Sequence, residues 1–329
     1  MKRGFTLIEL VVAVALLAMV FFFAGTIFKV SINAYRTAGA NAEVIQELRA
    51  VTDQLNVDFK GICADGPLLF WFERDGSNRY DQIMFFADGD FQSTQLYDSS
   101  NNAVPDPRGS RFITGNVARI HYGQAQSLDP NNDIQKPPEL PEEDRLLAIR
   151  KHILTADPCL DEWPDADMTD FDEDQKNERY EHDRLSLAQW KTVEGDDYDN
   201  VIVDTCFEFR PLIDMGDPNT FHKLMCEGVG SFAIQWAYWD SDDDRFYWFP
   251  SDSHFGLIGE DEFGVYFNIP GSIADSKWHS TDDAPFSGTD FSSYPKAIKF
   301  TFRLYDSKGI IKEGGRAGRT FTHIVYLGD

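Results

Sequence analysis

Residues 1–29 read MKRGFTLIELVVAVALLAMVFFFAGTIFK, and the order of residue types in this stretch sets the architecture of everything after it. Nineteen residues without a charge run from Leu10 to Phe28, and Lys29 closes them. A helix needs about 20 predominantly apolar residues to cross a bilayer core, so the run fits one span. A cleavable secretory signal has a shorter apolar region followed by a small-x-small site. Here the run is longer, and its small pair Ala24-Gly25 falls only at the far end. The processing cue lies on the other side, at Met1-Lys2-Arg3-Gly4. Lys2 and Arg3 hold that end in the cytoplasm and send the rest of the chain outward.

Glu9 stands out in this setting. An acid deep in hydrocarbon costs about 2.5–3.5 kcal/mol, less near the interface, and is a functional signal by default. No Lys, Arg or His occurs in the nineteen residues that follow it. Its expected partner is therefore a neighbouring molecule, or an amine created by processing. Cleavage between Gly4 and Phe5 would make such an amine four residues before Glu9.

The run GFTLIEL, residues 4–10, resembles the processing site of type IV prepilins and type II secretion pseudopilins. The resemblance implies that a prepilin peptidase cuts between Gly4 and Phe5 and that Phe5 is N-methylated. It also implies that Glu9 pairs with the N-terminal amine of a neighbouring subunit during filament assembly. The expected organisation is a leader over residues 1–4, a transmembrane half-helix over 5–30, a periplasmic half-helix over 31–60 and a β-rich head over 61–329.

The formal charge of −25 arises from 55 acidic against 30 basic residues. That balance repels nucleic acid and anionic membrane surfaces, favours solubility or cation binding, and argues against a DNA-uptake role. Four cysteines, Cys63, Cys159, Cys206 and Cys226, contain no CxxC, which disfavours a zinc or thioredoxin-like site. They allow two disulfides with three pairings, or four free thiols. Cys206 with Cys226 is the favoured pair, closing a short loop.

Beyond the apolar run, Ile32, Tyr35, Ala38, Ala42, Ile45, Leu48, Thr52, Leu55 and Phe59 recur at three- and four-residue steps. This pattern predicts that one helix continues to about Lys60, where Asp65-Gly66-Pro67 ends it. The remainder reads as β-structure. A hairpin is expected around Asp75-Gly76-Ser77-Asn78, with strands at Val117–Tyr122, Leu146–Leu154 and Val201–Arg210. SFAIQWAYWDSDDDRFYWFP (231–250) reads as a hairpin with an acidic tip, AIKFTFRLY (297–305) alternates cleanly, and RTFTHIVYL (319–327) closes the chain. A helix followed by antiparallel strands predicts an α+β layer with the helix covering one sheet face, and the resemblance implies that this is a pilin-like fold.

Two further segments are polar loops, Ser99–Ser110 and Ser127–Asp144. Between about Ala156 and Asn200 lie eleven Asp and five Glu with few aliphatics, which reads as an insertion rather than core. RLLAIRKHIL (145–154), LMCEGVGSFAIQWAYWD (224–240) and SYPKAIKFTF (293–302) resemble the J-type minor pseudopilin of type II secretion. W-type minor pilins of type IV pili share much of the layout. The resemblance implies a structural subunit near the tip of a short periplasmic filament. Its expected partners are I- and K-type pseudopilins, a major pseudopilin, the prepilin peptidase and the inner membrane. The tip-most K-type subunit usually lacks the acid, so Glu9 places this chain below it. A tip adhesin of a type IV pilus is the alternative.

Two acidic stretches are candidate calcium sites. In DFDEDQKNERYE, Asp170, Asp172, Asp174, Glu178 and Glu181 fall at positions 1, 3, 5, 9 and 12 of a calcium loop, although Gln175 stands where the turn needs Gly. Asp240, Asp242, Asp243 and Asp244 cluster at the hairpin tip, as solvated tips also do. Calcium is the one cofactor the sequence suggests. Catalytic signatures are missing: the seven histidines form no HExxH, and there is no GxSxG, P-loop or Rossmann fingerprint. The glycines of GVGS (228–231) and GGRAG (314–318) read as turn residues. Seven aromatics crowd residues 236–249, so the hairpin is either covered or a protein-binding surface.

Overall fold

A single helix, α1, runs from Leu7 to Lys60 without a break, 54 residues or about 81 Å. No proline falls inside it. Gly25 and Gly39 lower its propensity by about 1 kcal/mol each without bending it out of helical geometry. The computed structural model describes residues 6–97, 110–128, 134–154, 181–183, 186–191, 210–240, 244–251, 255, 261–268, 278–280 and 294–327.

α1 ends at Gly61, whose N–H reaches the Asp58 carbonyl at 3.3 Å. Glycine is required there by close approach. An added Cβ would lie 2.2 Å from the Asp88 carbonyl oxygen. The chain then bonds to the adjacent strand, Cys63 N–H to Phe86 O at 2.8 Å and Asp88 N–H to Gly61 O at 2.7 Å.

The described strands form two principal sheets. The larger contains β1 (Leu68–Asp75), β2 (Gln82–Gln92), β3 (Thr114–Gln124), β4 (Leu147–Leu154), β5 (Leu224–Cys226), β8 (Glu262–Phe267) and β9 (Trp278–Ser280). Its order is β5-β4-β3-β2-β1-β8-β9, antiparallel except for the β8–β9 pair. The smaller contains β6 (Val229–Asp240), β7 (Arg245–Phe249), β10 (Ala297–Leu304) and β11 (Arg319–Tyr326), in the order β7-β6-β10-β11. The hairpin at Gly76 (φ +60°), the acidic-tipped hairpin and the closing pair stand where the sequence places them. The expected strand over 201–210 falls outside the described residues save Arg210, which is not in a strand.

Both sheets pack on the last six turns of α1. Phe59 stacks on Phe85 of β2 at 4.2 Å and lies 5.5 Å from Phe300 of β10, so one helical residue touches both sheets. Beyond the helix the sheets meet directly. Trp236 of β6 packs on Phe70 and Phe72 of β1 at 4.8 and 5.7 Å, and on Phe249 of β7 at 4.5 Å. Each such ring contributes about 1.5–3 kcal/mol on full burial. This is the α+β, pilin-like arrangement expected: a long apolar helix packed against antiparallel sheets.

The expected stripe on α1 is out of phase in its first half. The helix buries Ala40, Val44, Val51, Leu55, Asp58 and Phe59, whereas Tyr35 is 82% exposed and Ala38, Ala42 and Ile45 face outward. The competing phase wins because Val44 and Val51 lie in line with Leu55. Its polar member, Asp58, is a structural acid. Asp58 accepts from Tyr122 Oη at 2.5 Å and from Lys151 Nζ at 2.6 Å, tying the helix end to β3 and β4.

A second buried acid joins the sheets. Asp81 accepts from Ile234 N–H at 2.7 Å and from Arg79 Nη2 at 2.5 Å, and the Arg79 guanidinium lies over the Phe255 ring at 4.7 Å. Burial pushes the Asp81 carboxyl above the ordinary range, and Arg79 and the backbone donors pull it back.

Candidate functional site

The N-terminus of α1 is built by four residues, Thr6-Leu7-Ile8-Glu9. Thr6 is the N-cap in extended geometry (φ −75°, ψ 148°). Its N–H and its hydroxyl both donate to Glu9 Oε2, each at 2.9 Å, and the Glu9 N–H donates to the Thr6 hydroxyl at 3.4 Å. This reciprocal box satisfies donors that the first helical turn leaves open. The carboxylate also sits where the helix dipole favours negative charge.

The sequence directs Glu9 toward a neighbouring molecule or a processed amine; the structure adds neutral donors on the same chain, the N–H and hydroxyl of Thr6. Thr6 is the functional residue missed, and its signal was present: Thr followed three residues later by Glu, directly ahead of an apolar run. Gly4 and Phe5 lie outside the described residues.

From this terminus the helix projects bare. Every residue from Leu7 to Gly39 is exposed, including Phe21, Phe22 and Phe28 at about 70%. The helix is long and apolar enough near its N-terminus to cross a membrane.

The candidate calcium ligands are not assembled into a site among the described residues. No group of three or more His, Cys, Asp or Glu there is placed to hold a metal. Asp170, Asp172, Asp174 and Asp242 fall outside the described residues. Glu181, expected at position 12 of the loop, has its carboxylate turned to protein donors: Thr94 N–H and Gln95 N–H at 2.9 Å each, the Thr94 hydroxyl, and His222 Nε2 at 3.3 Å. N–H groups aimed at a carboxylate fill the lone pairs a cation would use. Asp240 ends β6 opposite Arg245, and Asp244 sits exposed at the tip with φ +53°.

Cys226 is a free, buried thiol whose Sγ lies 3.7 Å from Glu47 Oε2, and Cys206, its expected partner, is outside the described residues. Burial pushes the Cys226 thiol upward, reinforced by the Glu47 charge. The aromatic hairpin divides along its length. Trp236 and Phe249 are core at its base, while Phe246 near the tip is 55% exposed.

Residues 1–25 match the family model for the prokaryotic N-terminal methylation motif. With a long apolar helix behind it and a β-rich head packed on that helix, the motif indicates a prepilin-type, type IV pilin-like protein, consistent with a single-pass membrane anchor. No curated protein and no solved structure matches the chain.

Proposed function

We propose that this chain is a minor pseudopilin of a type II secretion system, a structural subunit at or near the tip of the periplasmic pseudopilus. The observation that carries this reading is Glu9, held at the N-terminus of a bare apolar helix inside a methylation motif. In this reading the N-terminus is cytoplasmic, the helix waits in the inner membrane and the head is periplasmic. The peptidase cuts before Phe5, and Glu9 exchanges its Thr6 donors for the N-terminal amine of a neighbour. The amine is charged and the Thr6 donors are neutral, and charge-assisted bonds are roughly twice as strong. The large head suits a position near the tip, since bulk disfavours packing into a long uniform shaft. No catalytic role is assigned to any residue.

The exposed end of the aromatic hairpin favours one second reading, a W-type minor pilin or tip adhesin of a type IV pilus, whose hairpin meets an external partner. Capture of the tagged full-length chain from detergent-solubilised membranes of the source cell separates the two. Recovery of I- and K-type pseudopilins supports the secretion reading. Recovery of a pilus major subunit with minor pilins, and none of the former, moves the chain to a pilus.

A further inference from the structure

From Leu10 to Ala42 the charged residues of α1 are Lys29 and Arg36, and the first acid after them is Glu43. In a chain of net charge −25 this is a basic interval, and it starts where the uncharged span ends. Tyr35 within it is 82% exposed, an amphipathic ring of the kind that gathers at membrane–water interfaces.

The head adds bases of its own at this end. Ser307 N–H donates to Glu43 Oε1 at 3.2 Å, which fixes the start of a basic segment beside the first buried turns of α1. Residues 307–320 carry Lys308, Lys312, Arg316 and Arg319 against a single acid, Glu313. All four bases are exposed. Lys312–Glu313 pairs with Arg316–Ala317 around Gly314-Gly315, whose φ values are +58° and +85°. The chain then enters β11, where His323 meets Asn56 of α1 at 3.0 Å. Asn56 lies thirteen residues, about 20 Å, beyond Glu43 on the helix. Passing back along β11 from His323 to Arg319 therefore descends toward the span, and the hairpin lies at the lower end.

The acids near this end are mostly turned to protein donors. Glu43 holds Ser307, Glu313 accepts from Thr320 N–H at 2.9 Å, and buried Asp306 accepts from the N–H groups of Lys308, Ile310 and Ile311. Glu227, beside β5, is exposed. Among the described residues the ion pairs lie elsewhere in the head, so none of the four bases is committed to one.

Glu43 stands about 21 Å beyond Lys29 along the helix. Headgroups fill about 5–7 Å of that interval. The hairpin is about 10 Å long, and the Debye length at physiological salt is about 8 Å. A membrane surface therefore feels the charge of this end of the head, while the net acidity of the whole chain is screened.

We propose that Lys29, Arg36, Lys308, Lys312, Arg316 and Arg319 form a basic collar that docks the span-facing end of the head on anionic lipid headgroups, through their phosphodiesters. The proposal rests on α1 crossing a membrane and is independent of which filament the chain joins. Docked in this way, the head is held at the surface by contacts that salt weakens.

The test uses the full-length chain in lipid nanodiscs of phosphatidylcholine, alone or with about one third phosphatidylglycerol. Acetylation by uncharged N-hydroxysuccinimidyl acetate, read by mass spectrometry, reports access to each lysine. Lys308 and Lys312 are expected to react about fivefold more slowly in the anionic discs. That difference is expected to vanish in about 0.5 M NaCl, where the Debye length is about 4 Å. Lys296, exposed at the other end of the β10–β11 ladder, is expected to react equally in both discs. Arg316→Gln/Arg319→Gln keeps both reporter lysines and is expected to bring the difference below about twofold. Equal rates at Lys308 and Lys312 in the two discs, or an equal slowing at Lys296, overturn the collar. Slowing that is the same in both discs and grows with the number of chains per disc assigns these bases to an acidic face of a second copy, and likewise overturns it. A chain that does not enter the discs overturns the anchor and the collar together, which tells the two failures apart.

Discussion

The two halves of α1 have the same secondary structure for different reasons. From Leu7 to Gly39 no residue is buried, while from Ala40 to Lys60 each turn buries part of one face. From Leu10 to Phe28 the sequence carries no charge, and a helix would satisfy every backbone group there in a medium without water. In the second half the helix is held by tertiary packing of one stripe, because propensity alone seldom stabilises a helix in water. Between them Lys29 to Gly39, about 16 Å of exposed helix, belongs to neither environment. The difference shows that one continuous helix can be used in two ways: bare at one end, packed under a head at the other.

That division can be broken most strongly at Phe59. Phe59→Ala removes the ring that touches both sheets and is expected to lower head stability by about 3–5 kcal/mol in denaturant unfolding. Phe21→Ala, an equal truncation in the bare half, is expected to leave the same transition unmoved. Equal losses would erase the distinction between the halves. Asp58→Asn is next, at about 1–3 kcal/mol, since Lys151 loses its charged partner and Tyr122 its strong acceptor. Gly61→Ala forces a Cβ onto the Asp88 carbonyl and is expected to cost a similar or slightly smaller amount, about 1–3 kcal/mol, in thermal unfolding.

The smallest effect is a pH dependence at Glu47. Burial raises its carboxyl above the ordinary 4.5, with Cys226 opposing and Glu43 and Glu227 adding to the rise. A raised acid binds its proton more tightly when folded, so its contribution is fullest below pH 4.5 and is lost as pH climbs through the folded value. Glu47→Gln should therefore flatten stability over the window just above pH 4.5, with the variant gaining on the parent as pH rises. A gain that instead appears as pH falls would reverse the sign and contradict the burial argument.

Much of this was legible in the chain. GFTLIEL with the nineteen uncharged residues behind it marked the motif and the span, and the alternation of Ile298, Phe300, Phe302 and Leu304 marked a half-buried strand. The phase of the stripe on α1 was not legible. Two apolar phases overlap between Ile32 and Phe59, and only the sheet position decides which one is covered. Asp58 was hidden because an acid in a stripe reads as a solvated position until its partners on β3 and β4 are known. Glu181 fitted a ligand spacing, yet spacing does not say whether donors or a cation will meet the carboxylate.

Glu9→Ala in cells that make the sibling subunits, read by intact mass and by co-purification, tests the central claim most directly. The expected result is a mature chain that has lost residues 1–4 and gained a methyl group on Phe5, yet no longer copurifies with its siblings. Normal copurification of the Glu9→Ala chain would contradict the role assigned to this carboxylate.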